Sequence, residues 1–72
     1  MTYKQREALD VAVAYIDRYG YAPTFREISD LMNYRTVSTV YELFVKLKEK
    51  GYVTWEVDKS RTLKILMREE LQ

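Results

Sequence analysis

Apolar residues first recur at Leu9, Ala12, Val13 and Ile16, the i, i+3, i+4, i+7 spacing of one helix face. Thr2, with Gln5 three residues on, reads as a capping box at the start of that helix. The stripe runs to about Tyr19, where Gly20 offers the left-handed residue that closes many helices. Pro23 prevents continuation and pushes Ala22 toward extended geometry. Thr24 and Glu27 then repeat the cap-and-partner pattern, opening a brief second helix with Ile28, Leu31 and Met32 as its apolar face. Asn33 tolerates the left-handed conformation that ends it. A third helix is expected from Thr36 to Lys50, burying Val37, Val40, Phe44 and Leu47 with Leu43 and Tyr41 at the edges. Lys46, Lys48 and Lys50 suit the negative end of its dipole, and Gly51 terminates it.

After Gly51 the period drops to two. Val53, Trp55 and Val57 alternate with Thr54 and Glu56, Asp58-Lys59-Ser60 makes a turn, and Thr62 to Leu66 returns with Leu63 and Ile65 on one face. The fold expected is mainly α with a C-terminal β-hairpin (α+β), one domain over residues 1–66 followed by a frayed tail at 67–72. Only Asn33, Tyr34 and Arg35 join the second and third helices, which is helix-turn-helix spacing. A hairpin after the second of those helices completes a three-helix winged helix-turn-helix. In that geometry the later helix can enter a DNA major groove while the wing touches phosphates. The same architecture also serves as a protein-interaction module.

Composition narrows the chemistry. The 72 residues hold no cysteine and no histidine, so disulfides, Cys-ligated zinc, thiol nucleophiles and imidazole bases are excluded. Glu69-Glu70, Asp17, Glu27 and Asp30 lack the spacing of a metal or acid–base pair; no enzyme activity, metal or cofactor is expected. The longest uncharged stretch, Tyr19 to Phe25, has seven residues against the roughly 20 a membrane span needs. No membrane partner is therefore expected, and without a signal-peptide block the cytoplasm is the expected compartment. Net charge is only +1, and residues 36–66 carry six basic and four acidic side chains, a sum of +2. A DNA-binding role would depend on where those charges sit rather than on their total.

With the third helix's stripe buried, Ser38, Thr39, Glu42, Val45 and Lys46 occupy its outer side. A major groove about 12 Å wide favours small polar residues near a helix start, and Thr36, Ser38 and Thr39 are all small hydroxyls. Threonine methyls can meet thymine, hydroxyls serve donors or acceptors, and Glu42 can accept from cytosine N4. Thr36 can cap the helix, touch a phosphate, or do both. Lys46 and Lys48 suit either a solvated helix end or DNA contact. Val45 is an apolar residue on the outer stripe, fit for a thymine methyl or a partner surface. Of the seven tyrosines, Tyr15, Tyr19, Tyr34 and Tyr52 are expected to border the core rather than to form a single-strand platform. Trp55 is expected to fill the space between hairpin and helices.

Gly20-Tyr21-Ala22-Pro23-Thr24-Phe25-Arg26-Glu27-Ile28, Ser38-Thr39-Val40, Lys50-Gly51-Tyr52-Val53 and Ser60-Arg61-Thr62-Leu63-Lys64-Ile65-Leu66 together resemble the DNA-binding domain of LexA, the SOS-response repressor family. The likeness covers about Thr2 to Leu66, and the G-x-x-P-T-x-R-E-I segment is its most specific part. It implies a winged helix-turn-helix and sequence-specific binding of double-stranded DNA at inverted repeats by a transcriptional repressor of prokaryotic or phage origin. Carried over, the family's base-reading positions fall on Ser38, Thr39, Tyr41 and Glu42, and its backbone contacts on Thr2, Lys4, Thr36, Lys50, Ser60 and Arg61. Tyr41, at the edge of the helix stripe, is equally suited to DNA contact and to partial burial.

Departures qualify what the resemblance implies. Asn33 stands where glycine is usual, and Glu49 where a basic residue can occur. Nothing after Leu66 matches the family's self-cleaving peptidase domain, so a DNA-binding domain acting without self-cleavage is expected. Two copies are expected for tight operator binding, as a homodimer that can pair on the DNA itself or through the hairpin edge. The rival expectation is a protein partner in the transcription machinery or another repressor.

Overall fold

A computed structural model describes residues 1–67 as three helices followed by a short antiparallel hairpin: α1 (Tyr3–Tyr19), α2 (Phe25–Leu31), α3 (Val37–Glu49), β1 (Val53–Thr54) and β2 (Lys64–Ile65). The expected tail lies outside the described residues except for Met67, whose N–H donates to the Tyr52 carbonyl at 3.2 Å.

The helix boundaries follow from their caps. Thr2 Oγ1 accepts from Gln5 N at 3.1 Å while Gln5 Oε1 accepts from Thr2 N at 3.2 Å, so two otherwise orphaned amides are satisfied reciprocally. Thr24 and Glu27 repeat the arrangement at 3.0 and 2.9 Å. Helix α2 ends in a Schellman motif: Asn33 is left-handed at φ 61°, Tyr34 N donates to Ser29 O, and Asn33 N donates to Asp30 O. Helix α3 ends the same way through Gly51 at φ 86°, with Tyr52 N on Leu47 O and Gly51 N on Lys48 O.

Ala8, Leu9 and Ala12 of α1, Ile28 of α2, and Val40, Phe44 and Leu47 of α3 form the core with Val53 and Leu63 of the hairpin region. Phe44 is the largest side chain wholly removed from water. The two alanines let α1 lie close to α3.

In α2 and the hairpin, two expectations are corrected. Leu31 was expected on the buried face of α2 but is 58% exposed. The face turned inward is set by Phe25, Ile28, Ser29 and Met32, and Leu31 lies about 200° around the helix from Ser29. Val57 was expected to alternate inward but is 67% exposed. Pairing is confined to Val53 with Ile65 and Thr54 with Lys64. Beyond it, Asp58 and Arg61 adopt left-handed backbone, at φ 66° and 58°, which breaks the pleat. Thr62 replaces the lost ladder bonds: its hydroxyl accepts from Glu56 N at 2.9 Å and donates to Lys59 O at 3.0 Å.

Candidate nucleic-acid interface

The outer side of α3 follows the periodicity at Ser38, Thr39, Glu42 and Lys46, which are exposed, but not at Val45, which was expected among them and is half-buried. Ser38, Thr39, Tyr41 and Glu42 are exposed, while Val40, Phe44 and Leu47 of the same helix are fully buried. Thr36 occupies the N-cap position but makes no side-chain cap bond, unlike Thr2 and Thr24. Its hydroxyl instead lies 3.4 Å from both Thr39 Oγ1 and Ser38 Oγ. The result is a cluster of three small, exposed hydroxyls at the positive end of the α3 dipole, with no side-chain cap covering that end.

Tyr41 shows the partial burial expected of it. Its ring packs edge-on against Phe25 at 5.6 Å and against Trp55 at 5.8 Å, yet 43% of the residue is exposed. Trp55 in turn meets Phe25 at 5.1 Å, filling the expected space between hairpin and helices, and carries the Lys48 ammonium 4.7 Å above its ring. Lys48 is thereby drawn toward the wing.

The expected backbone contacts fall into separate groups. Lys50 Nζ donates to Gln5 Oε1 at 2.9 Å, tying the end of α3 to the capping box of α1 and bringing Lys50 and Thr2 onto one shared acceptor. One of three ammonium donors is used by that bond, and the Thr2 hydroxyl, which accepts in the box, keeps its proton to donate. The Lys4 ammonium lies 5.7 Å from the Tyr34 ring, beside the helix-turn-helix turn. Ser60 is exposed in the wing loop.

Arg61 is placed differently from the others. Its Nη1 donates to Glu27 Oε1 at 3.0 Å and to Ala22 O at 3.0 Å, and its Nη2 donates to Glu27 Oε2 at 2.9 Å. The guanidinium also lies 5.0 Å from the Tyr21 ring. Arg61 and the Thr24 backbone N–H together hold the Glu27 carboxyl down at about 2, from an ordinary 4.5, and Glu27 raises the Arg61 value. The local sequence pattern around Glu27 signals only its cap. Its second role joins residues 34 apart in the chain, and no local pattern signals such a pair.

A second aromatic group lies near the end of α1: Tyr15 with Tyr19 at 4.6 Å and Tyr21 with both at about 6 Å. Tyr19 was expected beside the core but is 49% exposed. Among the described residues no helix is long and apolar enough to cross a membrane.

Three helices, a tight turn before the third and an antiparallel hairpin behind it define a winged helix-turn-helix. The family model described as the LexA DNA binding domain matches residues 1–62, and the chain belongs to that family. It is similar to a protein named transcription regulator LexA from Synechocystis sp., 39% identical over 66 residues covering 92% of this chain and 32% of the relative. A LexA repressor from Finegoldia magna is 42% identical over the same shares. A LexA repressor from Alkaliphilus oremlandii is 38% identical over 63 residues, 88% of this chain and 31% of its own. The chain thus spans about a third of the length of these relatives.

Proposed function

We propose that this domain binds double-stranded DNA sequence-specifically and regulates transcription, with α3 in the major groove and the hairpin loop against phosphates. The observation that carries this reading is the outer side of α3: Ser38, Thr39 and Glu42 face solvent beside an uncapped helix start. Small hydroxyls let the helix approach base edges, and Glu42 accepts from a cytosine amine. Tyr41 reaches the groove with its exposed edge while its ring stays anchored on Phe25 and Trp55. Thr36, Thr2, Lys4, Lys50, Ser60 and Arg61 meet phosphates; the Thr2 hydroxyl, the Lys50 ammonium and the Arg61 guanidinium each keep a donor beyond their bonds to Gln5, Glu27 and Ala22.

One small module buries only about 600–1,000 Å² on DNA, so two copies on an inverted repeat give the tight complex. The relatives named as repressors make repression the favoured outcome. The test begins with duplexes selected from a random library at about 50 mM salt. Thr39→Trp, which adds bulk at an exposed position, is expected to keep the fold and lose about 1–3 kcal/mol of binding to the selected site. Undiminished binding by Thr39→Trp would remove α3 from the groove. Failure to select any duplex, with capture of a protein by the same chain, would favour the interaction-module reading.

A further inference from the structure

We infer that Glu27 is a positioning residue for the wing: acting through Arg61, it sets where the loop between β1 and β2 lies relative to the helix-turn-helix. The inference rests on the DNA-binding reading above and adds to it how the wing is held on its phosphates. The hairpin has only two paired residues per strand, so the strands alone aim the loop poorly. Trp55 and Leu63 fix its base against the helices, while Glu56 to Ser60 are exposed.

Arg61, next to Ser60, crosses from that loop to the start of α2 and forms a two-pronged pair with Glu27, with a third bond to Ala22 O. A planar fork on a carboxylate fixes direction as well as distance, which a single ammonium contact does not. The backbone supports the same role. Arg61 is left-handed at φ 58°, an uncommon conformation for a residue with a Cβ, and its side-chain bonds hold it there. Glu27 is itself fixed, because Oε1 also accepts from Thr24 N in the cap of α2. The wing is therefore referenced to the first turn of the helix that precedes α3.

Charge and positioning predict opposite signs. Removing a carboxylate from a DNA-binding surface strengthens phosphate attraction; removing a positioning carboxylate weakens binding. Glu27→Gln separates the two, because glutamine still serves the capping box while losing the charged fork. Arg61→Lys provides the reciprocal change, keeping the charge but not the planar geometry. Both variants of the 72-residue chain are titrated against a selected duplex, with circular dichroism as the fold control and phosphate-ethylation interference as the map.

Each variant is expected to bind about three- to tenfold more weakly than the parent. The double variant is expected to lose no more than the worse single one, since both act through one contact. Interference at the phosphates nearest the wing, identified as those that Ser60→Ala also loses, is expected to fade while interference at the Lys50 end persists. Equal or tighter binding by Glu27→Gln would overturn the inference, as would additive losses or a uniform fading across all phosphates. If Glu27→Gln unfolds, Arg61→Lys decides by the same map. Parent binding with unchanged variants defeats the positioning role alone, whereas no binding by the parent defeats the DNA-binding reading with it.

Discussion

Three threonines occupy helix starts in this chain, and they do not share one task. Thr2 and Thr24 accept from the third amide of their helices, whereas the Thr36 hydroxyl turns to Ser38 and Thr39. Thr24→Ala is therefore expected to cost about 1 kcal/mol of stability in urea unfolding. Thr36→Ala is expected to change stability by less than about 0.5 kcal/mol, while weakening duplex binding. A stability loss at Thr36 equal to that at Thr24 would mean that its hydroxyl caps after all. Phe44, wholly buried between helices, defines the other extreme. Phe44→Ala is expected to lose about 3–5 kcal/mol, and a much smaller loss would show that the core closes over the gap.

At the scale of elements, the helices were legible because their information is local: two capping boxes, two glycines and one asparagine at helix ends, and a 3.6-residue stripe. Strand alternation was legible near the paired residues, where Val53 and Leu63 are buried, and failed at Val57, beyond the pairing. The outer face of α3 could be read by subtracting its buried stripe. The engagement of Arg61 by Glu27 could not, because its partners meet only after the hairpin folds back on α2.

That contact has a pH signature. Its carboxyl titrates lower in the folded chain than the ordinary 4.5, so the unfolded chain takes up the proton first as pH falls. The contribution of the pair is full above about 4.5 and is lost as pH falls toward about 2, and exposure of both side chains to water keeps it modest. Melting temperatures of the parent and Glu27→Gln are therefore expected to converge as pH falls from 4.5 toward 2; a constant gap would contradict the pairing.

For the molecule as a whole, near-neutral charge makes placement decisive. A net +1 spread over a body with an 11.1 Å radius of gyration gives little general attraction to DNA. Binding must come from a few oriented contacts, and about three phosphates neutralised per copy, by Lys4, Lys50 and Arg61, give a slope of log affinity against log salt near −3. A slope near zero for the folded monomer would remove the phosphate contacts. The exposed aromatic and apolar residues at Tyr3, Tyr19, Tyr21 and Leu31 lie apart in sequence from α3, and they are where a protein partner would be felt first.

Backbone amide shifts followed by nuclear magnetic resonance, as a selected duplex is added, distinguish these surfaces in one titration. With α3 in the groove, the largest changes are expected at Thr36 to Glu42, with a second group at Lys59 and Ser60. Changes concentrated on Tyr3, Tyr19, Tyr21 and Leu31, with the amides of α3 left unmoved, would contradict that placement.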